Sequence, residues 1–65
     1  MNLAAMAEAR DQVEELLGVA VEMLGEPVDE AEAPHQAATR DSIVRTYVTL
    51  AGEAIGRFEE AVNGR

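Results

Sequence analysis

From Ile43 to Val62 the apolar positions recur three and four apart, as Val44, Tyr47, Val48, Ala51, Ala54, Ile55, Phe58 and Val62. That is the period of a helix and not of a strand. With about 100° between successive residues, Ile43, Leu50 and Ala61 widen the same face. The stripe then covers roughly 160°, more than the ~100° that one neighbour needs. Upstream, Leu3, Met6, Arg10, Val13, Leu17, Ala20 and Leu24 repeat the three-four alternation, with Ala9, Leu16 and Met23 beside them. The pattern predicts two amphipathic helices, over residues 3–24 and 35–62.

The punctuation agrees with those limits. Asn2 is placed to cap the first helix, and Gly25 followed by Pro27 is expected to end it through a left-handed glycine. Residues 25–34 read as an acidic linker carrying Glu26, Asp29, Glu30 and Glu32. Pro34 suits the first turn of the second helix, with Thr39 or Asp41 as alternative, later caps. Asn63-Gly64 supplies the second stop.

A linker of this length lets the helices fold back on each other. The expected fold is all-α: an antiparallel two-helix hairpin in one domain. Each helix brings more apolar surface than its partner can cover, so self-association into a four-helix bundle is expected, most simply as a homodimer. The residues expected to form that interface are Leu3, Met6, Val13, Leu16, Leu17, Ala20 and Leu24 of the first helix. From the second come Val44, Tyr47, Val48, Ala51, Ala54, Ile55, Phe58 and Val62.

Size sharpens the expectation. Sixty-five residues without a cysteine have neither a large core nor a disulfide, and oligomerisation is the usual remedy. The net charge of -8 disfavours nucleic acid and anionic lipid as direct partners. No apolar run is long enough to span a membrane, and Met1–Arg10 does not read as a signal peptide. The expected location is the cytoplasm. Arginine supplies all five basic residues and alanine is abundant, a bias of GC-rich coding that suggests a bacterial or phage source.

Three features break the pattern. Arg10 stands in the middle of an apolar stripe, and a buried guanidinium needs a carboxylate. Glu14, one turn on, and Glu59, across the hairpin, are the candidates, although the side chain could also snorkel to the edge. Gly52 and Gly56 share a side of the second helix with Arg45 and Thr49. Two mid-helix glycines cost about 2 kcal/mol relative to alanine, so they either admit a partner backbone or simply weaken the helix. Glu8, Asp11, Glu15 and Glu22 form an acidic outer arc, which reads as a solvating face, a dock for a basic protein, or a mimic of duplex phosphates.

Catalytic chemistry is not evident. A di-metal carboxylate bundle needs inward-facing glutamates with Glu-x-x-His pairs, whereas the single histidine, His35, lies in or near the linker. Ser42 has no histidine within one helical turn to act as base. No metal, cofactor or enzymatic activity is expected. Thr49-Leu50-Ala51-Gly52-Glu53-Ala54 resembles the Ser/Thr-x-x-x-Glu-Gly/Asn pattern of inhibitory helices in small antitoxins of Fic-type toxins. Ala54 departs from that pattern, and no residue role is carried over. The reading is a non-enzymatic binding or assembly module, such as a regulator, inhibitor or adaptor. The alternative is an acidic nucleic-acid mimic that blocks a DNA-binding protein.

Overall fold

The computed structural model describes residues 2–64. Helix α1 runs Leu3–Leu24 and helix α2 runs Pro34–Asn63. They pack antiparallel as a hairpin, with no strand among the described residues. The Asn2 amide donates to the Ala61 carbonyl at 3.0 Å. The Arg57 guanidinium donates to Oε1 of Gln12 at 2.6 Å. These two ties set the register: Arg10 lies at about the height of Ile55, and Leu17 at about the height of Val48.

Helix α1 starts where Asn2 accepts the Ala5 amide on its side-chain oxygen, at 3.0 Å, satisfying a donor the helix cannot. Its end differs from the expectation. Gly25 is right-handed, with φ -80°, and its N–H bonds to the Val21 and Glu22 carbonyls. The chain therefore leaves by continuing the turn, and a left-handed residue is not required there. The left-handed glycine is at the other stop: Gly64 has φ 78° and closes α2.

The linker is organised by Asp29. Its carboxylate accepts the amides of Ala31 and Glu32 at 2.9 and 3.3 Å, and its carbonyl accepts that of Ala33 at 2.7 Å. This compact turn delivers Pro34 to the first helical position, where its missing N–H costs nothing. Helix α2 thus takes the early start, and Thr39 and Asp41 lie inside it.

The seam between the helices is made of small residues. Ala9 and Ala20 are buried on α1; Ala37, Val44, Ala51, Ala54 and Ala61 are buried on α2. On α1 the half-buried Met6, Val13, Leu16 and Met23 complete a three-four row with the two alanines. On α2, Ala37, Val44, Ala51 and Phe58 form one seven-residue row, and Tyr47, Ala54 and Ala61 the other. That is the seam of a coiled coil. Helices close tightly on methyl groups, and this seam corrects the stripe expected on α1: Leu3, Arg10, Leu17 and Leu24 lie beside the contact and are exposed. The row with Ala9 wins because its small side chain admits the partner backbone.

The resulting core is thin. A buried methyl is worth about 0.8 kcal/mol, against about 1.5–3 kcal/mol for a large aliphatic side chain. No large side chain is fully buried among the described residues. The radius of gyration is 15.2 Å, where a compact chain of this length would have about 11 Å. The molecule is a rod of about two helix diameters.

Candidate interaction surface

A two-helix seam leaves two flanks, and they differ in chemistry. On one flank, Ile43 and Leu50 of α2 are partly exposed, and Arg57 reaches across to Gln12. That bond closes the flank with a polar strap. The opposite flank has no such strap. It carries Leu3, Arg10, Leu17 and Leu24 of α1 beside Val48, Ile55 and Val62 of α2, with Val21 at its margin. A cleft lined by Val13, Ile55 and Phe58, with Arg10 and Glu14 at its edge, joins the two helices on this side.

The amounts are unequal. Leu3 is 71% exposed, Val21 68%, Leu24 56% and Val48 51%, and with Leu17, Ile55 and Val62 the flank exposes the equivalent of between three and four whole aliphatic side chains. Ile43 and Leu50 together expose less than one. This flank therefore carries the larger apolar exposure, interrupted on α1 by Arg10.

The residues expected to form the oligomer interface therefore divide. Ala20, Val44, Ala51 and Ala54 are consumed by the hairpin seam. Met6, Val13, Leu16, Tyr47 and Phe58 are half-buried, and Leu3, Leu17, Leu24, Val48, Ile55 and Val62 remain open to a partner.

The buried ion pair expected at Arg10 is not formed in the hairpin. The Arg10 side chain is 63% exposed, and its carboxylate is Asp11 at 3.5 Å rather than Glu14 or Glu59. The reason is the rotated seam, which leaves Arg10 on the flank. The shielded arginine is Arg40, 14% exposed, which the sequence reading passed over. It donates from Nε and Nη2 to Oδ1 of Asp41 at 3.2 and 3.1 Å and lies 3.5 Å from Glu30 of the linker. Continuing the Tyr47-Ala54-Ala61 row one step upstream lands on Arg40. That spacing was the available signal.

The remaining candidates lie on the outside. Arg45, Thr49 and Gly52 are exposed and Gly56 is half-buried. A Cβ built on Gly52 or Gly56 meets nothing within 4 Å, so neither glycine admits α1. Glu8, Asp11, Glu15 and Glu22 are exposed along α1, with Glu8 and Glu15 lining shallow clefts beside Arg57 of α2, and Ser42, His35 and Glu53 are exposed as well. Among the described residues no cluster of three or more His, Cys, Asp or Glu could hold a metal ion. No helix there is long and apolar enough to cross a membrane. No family model, curated protein or solved structure matches this chain.

Proposed function

We propose that this protein is a non-enzymatic assembly and protein-binding module whose hairpin is completed by a second copy. The observation that carries the reading is the unstrapped flank, Leu3, Leu17 and Leu24 beside Val48, Ile55 and Val62. Two hairpins packed through it form a four-helix bundle. Burying between three and four side-chain equivalents on each copy, six to eight in the dimer, contributes about 10–20 kcal/mol at about 1.5–3 kcal/mol per side chain, comparable to the cost of association. The two apolar faces match because they are the same face.

The acidic arc supports a solvating or docking role better than mimicry. Glu8, Asp11, Glu15 and Glu22 spread over about 21 Å of helix, roughly one charge per 5 Å. A duplex carries one per about 1.7 Å. The arc holds a third of the charge density a convincing mimic needs.

Co-expression of tagged and untagged copies tests the proposal. The tagged chain carries the untagged one through purification if the reading is correct, and does so equally well when those four acids are changed to glutamine. Recovery of the tagged chain alone contradicts it. Binding to a basic DNA-binding protein that vanishes with the glutamine changes would favour mimicry instead.

A further inference from the structure

We infer that the second copy packs antiparallel to the first, with α1 against α1, α2 against α2, and the twofold axis crossing the helices near Glu14 and Gly52. This rests on the proposed self-association and specifies its geometry. Two hairpins meeting through one flank have two symmetric choices. If the axis runs along the hairpin, α1 covers α2 of the second copy. If it runs across, each helix covers its own counterpart. Both give antiparallel neighbours, so helix dipoles do not choose between them. The side chains do.

Along the outer edge of the flank, α1 presents Ala7, Glu14 and Val21, and α2 presents Arg45, Gly52 and Glu59, each set seven residues apart. For an axis along the hairpin, the register alone fixes what meets what. For an axis across, it ties the α1 pairing to the α2 pairing, and the height near Glu14 and Gly52 is the one that sets Arg45 against Glu59. With the axis along the hairpin, Glu59 falls on Ala7 of the second copy, Arg45 on Val21, and Glu14 on Gly52. Every charge then meets a residue with no charge. With the axis across, Arg45 of each copy faces Glu59 of the other, twice over, and Ala7 meets Val21. On the inner row, Val48 meets Ile55 and Leu3 meets Leu24. Arg10 falls on Leu17 and Val62 on Asp41, but the other axis sets the same two charges against Ile55 and Leu24, so the Arg45–Glu59 pairs of the outer row decide.

This arrangement also accounts for two residues unexplained within the hairpin. Gly52 stands at the axis opposite its own counterpart, and the space around it is what two α2 backbones need for close approach. Arg10, held only by Asp11, comes within a helical turn of Glu14 of the second copy. The two Glu14 carboxylates meet at the axis, and the two Arg10 side chains flank them. A like-charge pair is thereby bracketed by opposite charge.

The chain contains no cysteine, so a single one can report the geometry. A Glu14→Cys variant treated with a short bis-maleimide is expected to give a covalent dimer, while Glu8→Cys, on the side of Arg57, stays single. With the axis along the hairpin the two α1 axes lie diagonally, about 13 Å apart if adjacent helices are spaced 8–10 Å, with residue 14 on opposite outer sides beyond the linker's reach. Arg45→Glu and Glu59→Arg are each expected to weaken the dimer about tenfold, and the double variant to restore it. A wild-type dimer in which Glu14→Cys fails to link, while Glu14→Cys with Gly52→Cys does, overturns this geometry and leaves self-association standing. A wild-type monomer overturns both.

Discussion

Replacing Val48 with aspartate puts a charge in the centre of the unstrapped flank. Val48 is 51% exposed in the hairpin, so about half its burial, on the order of 1 kcal/mol per copy, is still to be gained on association. An aspartate there forfeits that gain and leaves a carboxylate facing Ile55 of the second copy, costing about 1–3 kcal/mol more. Two copies double the effect, to about 4–8 kcal/mol, which is about a 700-fold rise in dissociation constant at the lower end. The matched variant is Leu50→Asp. Leu50 is 41% exposed but lies on the flank strapped by Arg57 and Gln12, and its dissociation constant should change less than about tenfold. Sedimentation velocity over a dilution series reads both, with far-UV circular dichroism confirming helicity at each concentration. Equal loss in the two variants, or loss in Leu50→Asp alone, would refute the assignment of the flank.

Ala54→Leu inserts three carbons at a position with 0% exposure and should destabilise the hairpin by about 1–3 kcal/mol or more, seen as a lower urea midpoint. Arg40→Ala removes the link from α2 to Glu30; with Glu30 exposed, the loss should be about 1 kcal/mol, and amide exchange at residues 31–33 should accelerate. Gly64→Ala forces a side chain into φ 78° and should cost about 1 kcal/mol. Gly25→Ala, at φ -80° with only ordinary contacts, should be neutral or stabilising by up to about 1 kcal/mol. Thermal melts of the two glycine variants distinguish the left-handed cap from the right-handed one.

The hairpin was legible because its signals are local. Three-four periodicity, Asn2 at one start, Pro34 at the other and Asn63-Gly64 at the end all act within a few residues. The rotation of α1 was not legible in the same way. Two rows share Met6, Val13 and Ala20, and the choice between Ala9-Leu16-Met23 and Leu3-Arg10-Leu17-Leu24 depends on what α2 presents. The bulkier row looked like the core; the alanines of α2 select the smaller one. Arg10 and Arg40 exchanged roles for that reason. One is freed onto a flank by the rotation, and the other is drawn into the seam by a heptad row that begins before Tyr47. Gly25 departs from the left-handed cap because its N–H continues the turn to the Val21 and Glu22 carbonyls, and the linker turn is organised further on, at Asp29. The flank itself was visible only as surplus apolar width, since its composition depends on the seam.

The central claim is that one hairpin hides too little apolar surface to stand alone. The most direct measurement is the melting temperature at two protein concentrations a hundredfold apart. Folding coupled to association requires the midpoint to rise with concentration, by several degrees for a chain of this size. A sharp transition at the same temperature in both samples, with a sedimenting mass of 7.0 kDa, would contradict the account.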